Sequence, residues 1–288
     1  MGEFMIFTDS GCDIPRATLD QWGVGYCWLT YVFEGEGRQY GNYEMPYREF
    51  YDRVRAGQIA RTSAVNAETF RAGFQSVLER GLDILYIGMS SAISATFGSA
   101  LIAAEELRPL FPEREIRCVD SLAASAGVGM LVYMAAERKK AGGTLDECAQ
   151  LVLDKRLNMC HWFTVEDLVY LKRGGRISAA TALVGNILGF KPVLHVDDEG
   201  RLINMFKVRG RKASLEALAD KYAELALDKG GGTVFISHGD CADDAKKLAA
   251  MLNERCGAKV ALTVYVGPVI GAHSGPGTIA LFFLGKHR

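Results

Sequence analysis

The chain reads as an α/β protein of two domains, the N-terminal one built on a parallel sheet and the C-terminal one on a mixed sheet. Its 288 residues exceed what one core ordinarily organises, which favours two. In the first half, short apolar runs ending in small polar residues alternate with helix-length amphipathic stretches. That is the pattern of parallel strands joined by crossover helices. After Cys160 the rhythm gives way to a strand–turn–strand pattern and further helix–strand alternation, so the domains are set at 5–160 and 161–288.

Met1-Gly2-Glu3-Phe4, ahead of Met5, reads as an expression remnant outside the fold. Ile6-Phe7-Thr8 opens the first strand, and Asp13-Ile14-Pro15 reads as a helix start, with Asp13 as its cap. Residues 26–33, rich in aromatic and β-branched side chains, are predicted to form one strand, followed by a turn at Glu34-Gly35-Glu36-Gly37. A helix over 46–56 has its apolar side at Tyr47, Phe50, Tyr51 and Val54. Helices over 67–80, 94–107 and 123–141 alternate with strands at 83–88 and 116–119. Gly142-Gly143 stops the third of these helices, and Thr144 caps the next, which runs to about Leu157. In the second half a strand at 161–165 leads to a helix end at 167–173 and a small-residue helix over 179–188. Strands at 192–196 and 201–208 flank the turn Asp197-Asp198-Glu199-Gly200 as a hairpin. Helix (213–226), strand (234–237), helix (243–256) and strands (260–266, 278–284) complete the chain.

Composition excludes several function classes. Hydrophobic residues make up 49% and charged residues 23% of the sequence, an ordinary globular balance. No apolar run approaches the ~18 residues of a membrane span. A net charge of −1 supplies no general attraction to nucleic acid or to an anionic membrane. The seven cysteines are scattered and form no CxxC pair; they read as small buried hydrophobes in a reducing cytoplasm. With no phosphate-binding glycine motif and no two-histidine helix spacing, neither a nucleotide cofactor nor a metal is expected.

The chemistry-bearing residues gather at strand ends. Thr8-Asp9-Ser10, Thr62-Ser63, Ser90-Ser91-Ala92-Ile93-Ser94-Ala95-Thr96 and Asp120-Ser121 each follow a strand or precede a helix, where hydroxyls and free N–H groups meet a ligand crevice. Helix capping accounts for any one of them; four in one domain point to a shared polar site. A competing class is an ester-cleaving serine hydrolase. Gly88-Met89-Ser90-Ser91-Ala92 stands where a nucleophile elbow would, with Ser90 as nucleophile, Asp120 and either His238 or His273 as partners, and Ala92 in place of the second glycine.

Residues 168–215 carry nine basic side chains against three acidic ones, a local +6 that leaves −7 for the rest of the chain. Arg173-Gly174-Gly175-Arg176 and Arg209-Gly210-Arg211 set planar guanidinium forks beside flexible glycines, which suits phosphate, carboxylate or an acidic protein partner. His273-Ser274-Gly275-Pro276-Gly277, expected as a loop between a strand-like segment (264–270) and the last strand, offers polar groups on a stiffened turn.

Taken in order, these motifs resemble the DegV family of bacterial fatty-acid-binding proteins. The resemblance is carried by Thr8-Asp9-Ser10, Arg61-Thr62-Ser63, the Ser90–Phe97 segment, Asp120-Ser121, Leu168 through Arg176-Ile177-Ser178, Lys191-Pro192, Lys207 through Ala213, and His273 through Gly277. Ala95 stands where the family usually has glycine, adding a methyl group beside the head-group site. The resemblance implies a non-catalytic carrier that holds one long-chain fatty acid, of about fourteen to eighteen carbons, between its two domains. The carboxylate would meet Thr62, Ser63, Ser94, His273 and Ser274. As in the family's FakB members, a separate fatty acid kinase would phosphorylate the bound acid for phospholipid metabolism, docking on Arg173, Arg176, Arg209 and Arg211. The bound acid is then the ligand, with no cofactor, no nucleic acid and at most transient membrane contact.

Overall fold

The structure is a computed structural model that describes residues 3–177 and 189–288. The first sheet is wholly parallel and ordered β2-β1-β6-β7, from β1 (Phe4–Asp9), β2 (Val24–Cys27), β6 (Asp83–Gly88) and β7 (Ile116–Asp120). Central β6 is apolar from Ile84 to Ile87 and fully buried there, as a strand covered on both faces must be. Phe70 and Phe74 of α3 (Ala67–Leu78) cover one face, meeting Tyr86 and Phe7 edge-on at centroid distances of 5.1 and 5.2 Å. Its opposite face receives α5 (Ala126–Lys140).

Helix α5 is buried continuously from Ala126 to Val132 because it lies between two sheets. A helix apolar all round needs that setting. Gly127 permits the close approach, since a Cβ there would collide with the His161 ring.

The second sheet is mixed, with order β10-β9-β8-β13-β11-β12. It contains β8 (Met159–Thr164), β9 (Phe190–Val196), β10 (Leu202–Arg209), β11 (Val234–His238), β12 (Val260–Tyr265) and β13 (Ile279–Leu284). Only β11 and β12 run parallel; the other neighbours are antiparallel. Alternation sorts its side chains. Phe163, Phe235, Ala280 and Phe282 share the large core with the first sheet, while Trp162, Ile236, Leu281 and Phe283 pack in a second core with Leu218 and Leu248. The latter two come from α8 (Arg211–Leu225) and α9 (Ala242–Cys256). Burying each such side chain contributes about 1.5–3 kcal/mol, so a one-residue slip of register would exchange two cores at once. The chain passes between the sheets after α6 (Leu145–Lys155), whose Thr144–Glu147 capping box is present.

Several sequence expectations are corrected here. Phe4 belongs to the fold: it is buried in β1 and pairs with Asp83. Residues 26–33 form two strands in different sheets. At Leu29 the backbone N–H turns to Ser10 Oγ (2.9 Å), and β3 (Thr30–Phe33) then joins β4 (Gln39–Gly41) and β5 (Ala60–Ser63) in a small antiparallel sheet. Asp13 does not cap α1 (Arg16–Gln21), which begins behind Pro15 without a side-chain cap. The strand-like segment 264–270 divides into the end of β12 and a short helix, α10 (Pro268–Ser274), so His273 and Ser274 lie in a helical turn rather than a loop. The helix expected over 179–188 lies outside the described residues.

Candidate ligand-binding site

A cavity of about 190 Å³ lies between the two sheets. Leu29, Met89, Phe163, Val269, Ala280 and Phe282 give it a mainly apolar wall. Its polar end is assembled from β5, from the loop before α4 (Thr96–Leu107), from the segment after α7 (Val169–Arg173), and from α10.

On β5 successive side chains point to opposite faces. Thr62 faces the cavity and its Oγ1 lies 2.8 Å from His273 Nε2. Ser63 is exposed and lines no part of the cavity, so the structure does not bring it into the expected head-group set. Ser94 does line it; its hydroxyl donates to Thr96 Oγ1 at 2.9 Å and accepts from the Thr96 N–H. Ala95 lines it as well. Ser274 is buried in the wall, and neither its Oγ nor His273 Nδ1 has a partner among the described residues. Gly174 lets the chain after α7 approach His273, because a Cβ at that position would collide with Nδ1.

Arg176, expected on an outer docking face, stands in the cavity wall instead. Its Nε donates to the Ile93 carbonyl at 3.1 Å, a second nitrogen donates to the Gly174 carbonyl, and it has no carboxylate partner among the described residues. Arg176, Ile93 and Leu202 also line an adjoining surface groove, which sets the guanidinium at the cavity mouth. Burial lowers its pKa, and burial together with the Arg176 charge pushes His273 down to about 4. A neutral imidazole, two hydroxyls and an unpaired guanidinium at the end of an apolar cavity suit an anion with an apolar body.

The other expected docking arginines differ among themselves. Arg173 is exposed, with its guanidinium 5.7 Å from the Tyr170 ring centre, and Arg209 is exposed on β10. Arg211 is engaged within its own domain, pairing with Asp244 at 2.8 Å, so it does not stand free for a partner.

Most of the remaining hydroxyl clusters are structural. Thr8 Oγ1 donates to the Ile87 carbonyl, and Ser121 Oγ accepts from the Ala123 N–H. Asp9 accepts from the Tyr86 hydroxyl and from the Gly11 and Met89 N–H groups. A nucleophile at Ser90 is not assembled. Its hydroxyl is fully buried and donates to the Gly200 carbonyl at 2.9 Å, Asp120 accepts from the Ser91 N–H, and His273 is bonded to Thr62. His238 accepts from the Cys241 N–H and packs against the Tyr265 ring, tilted by 52°.

Sequence reasoning missed a second polar group in the wall. Ser125 Oγ donates to Asp13 Oδ2 at 2.6 Å and lies 3.0 Å from Ser237 Oγ; both serines line the cavity. Asp13 Oδ1 accepts from the Gly267 N–H at 3.0 Å. Burial pushes Asp13 up to about 7. Ser237 stands next to the end of its strand, much as the noted clusters do, and that position was its available signal.

Residues 3–286 match the family described as "Uncharacterised protein, DegV family COG1307". The chain belongs to the DegV family. A DegV domain-containing protein of Clostridium perfringens is 41% identical over 100% of this chain and 99% of its own length. Among solved structures, a DegV family protein from Thermus thermophilus, described for its fatty acid binding, is 30% identical with a TM-score of 0.89, covering 98% of this chain and 99% of that one. A DegV lipid-binding protein from Thermotoga maritima is 28% identical with a TM-score of 0.86 and 99% coverage of both chains. Among the described residues no helix is long and apolar enough to cross a membrane, and no cluster of His, Cys, Asp or Glu is placed to hold a metal ion.

Proposed function

We propose that this DegV family chain is a non-catalytic carrier of one long-chain fatty acid, held with its tail in the cavity between the sheets. The observation that supports it is the apolar cavity ending at the Thr62–His273 pair beside Arg176, which has no carboxylate partner among the described residues. A sixteen-carbon chain gains roughly 12 kcal/mol gross at about 0.8 kcal/mol per buried CH₂, from which association and ordering costs are subtracted. Such a gain is usable only if the carboxylate keeps its hydrogen bonds, because a buried unpaired charge is expensive. Thr62 and Ser94 hydroxyls rotate to donate to it, Ser274 adds a free hydroxyl, and Arg176 balances its charge.

In this reading the carboxylate sits near the mouth, where a cytoplasmic fatty acid kinase reaches it and forms the acyl-phosphate while the tail stays buried. Arg173 and Arg209 are the exposed cations of the basic segment and the docking residues of choice; Arg176 serves the ligand. Purification from a lipid-containing host, followed by extraction and binding measurement on Thr62→Val/Ser94→Ala, tests the head-group assignment. Weaker acid binding with an intact fold is expected, and unchanged affinity rejects it.

A further inference from the structure

Among the described residues the Asp13–Ser125–Ser237 chain shares no hydrogen bond with the Thr62–His273 pair, and the proposed head-group set does not include it. It is a built feature. Ser237 is fully buried and Ser125 is 6% exposed. Ser125 is held at φ 53° and ψ −145°, a conformation that side chains other than glycine adopt at a cost of about 1–3 kcal/mol. Asp13 is likewise held at φ 55°. Aspartate tolerates that conformation, so it is Ser125, the middle member of the hydrogen-bonded chain, that is kept in place against backbone preference.

Counting protons shows what the chain offers the cavity. With Asp13 ionised, Ser125 spends its only proton on Asp13, so it can only accept from Ser237. Ser237 then donates to Ser125, which leaves its lone pairs to receive a ligand hydroxyl. With Asp13 protonated the direction reverses, and Ser237 donates to a ligand oxygen. In either state Ser237 keeps one hydrogen-bonding position unused, as acceptor or as donor, in a wall that also holds Phe163, Ala280, Phe282 and the His161 ring. A methylene cannot use it.

We propose that Ser237, backed by Ser125 and Asp13, is a second ligand subsite that receives a hydroxyl or similar oxygen borne along the acyl chain, so that the cavity selects oxygenated long-chain acids. This rests on the carrier reading. Ser237 lies on β11 opposite Ala280 of β13, while the carboxylate groups sit on β5, α10 and the mouth. The subsite therefore reads one position along the chain. A hydroxyl in register gains a hydrogen bond, and one out of register is buried without a partner. A net bond is worth about two- to tenfold in affinity, and an unmade one costs about five- to a hundredfold.

The test is competition binding of octadecanoic acid against a series of its positional hydroxy isomers, on the wild-type protein and on Ser237→Ala. One isomer is expected to bind about two- to tenfold tighter than the parent acid, with the other positions weaker than the parent. Ser237→Ala should bring the favoured ratio to one or below while changing octadecanoic acid affinity less than about twofold. Ser125→Gly, which relieves the backbone and removes the supporting hydroxyl, should reduce the same ratio and serves if Ser237→Ala does not fold. Tight binding of octadecanoic acid with no favoured isomer, or a favoured ratio that survives both substitutions, overturns the subsite alone. Failure to bind any of the acids overturns the carrier reading and the subsite with it.

Discussion

Arg176→Met separates a ligand-binding arginine from a docking one. The guanidinium is half-buried, donates to two backbone carbonyls, and has no carboxylate partner among the described residues. A bound carboxylate therefore gains a charge-assisted partner whose desolvation the fold has met in part. Such a bond contributes about 1.5–3 kcal/mol, so its loss should weaken acid binding about 10- to 150-fold. Methionine retains most of the apolar stem and its packing. The assay is displacement of a fluorescent fatty acid near pH 7.5 by hexadecanoic acid and by the matched fatty alcohol. The acid should lose the stated factor, and the alcohol, which carries no charge, should change less than about twofold. Equal losses for acid and alcohol, or no loss for either, would refute the assignment of Arg176 to the head group. A second readout is independent of ligand. His273 is held down by burial and by Arg176, so its titration in the empty variant should move upward toward the ordinary histidine value.

Thr62→Val with Ser94→Ala removes two donors at the polar end and should weaken acid binding by at least about tenfold, measured by calorimetry, with the thermal midpoint little changed. Arg173→Glu, at an exposed position outside the cavity, should leave acid affinity unchanged and reduce acyl-phosphate formation by an added fatty acid kinase; loss of acid binding would deny a separate docking face. Asp13→Asn addresses pH. The folded protein raises Asp13 from 3.8 to about 7, so the contribution of this group is full below the unfolded value and is lost as pH rises from about 4 through about 7. The gross size is on the order of 4 kcal/mol. His273 is depressed and has the opposite sense, its contribution being lost as pH falls through about 4. The difference between wild type and Asp13→Asn in urea unfolding therefore isolates Asp13, and should widen in the variant's favour as pH rises from about 4 to about 7 and level off above that. Ser90→Ala tests the esterase alternative, and the carrier reading predicts no ester turnover before or after the change.

The alternation of apolar runs with helical stretches made the parallel sheet legible, because strands buried on both faces need nothing else. β6 and the Thr144 cap fall where the residues put them. Tyr26 to Phe33 misled because propensity says which residues suit a strand and nothing about which sheet receives them; the Ser10 hydroxyl makes that choice at Leu29. Thr62, Ser94, His273 and Ser274 were visible as polar groups at element ends, and they do meet at one end of the cavity. Ser63 failed by the two-residue period of a strand. Arg173 and Arg176 look equivalent around their glycine pair, and only the approach of Gly174 to His273 turns the second one inward. Asp13, Ser125 and Ser237 are separated by more than a hundred residues at each step. No local pattern joins them, and the capping preference of Asp13 pointed elsewhere.

The most direct measurement is denaturing extraction and mass spectrometry of the protein purified from a lipid-containing host, with ligand quantified per chain. The account predicts one long-chain carboxylic acid per chain, enriched over host lipid composition and lost in the Arg176→Met variant. Protein that carries no acid, and takes none up when it is supplied, would contradict the account.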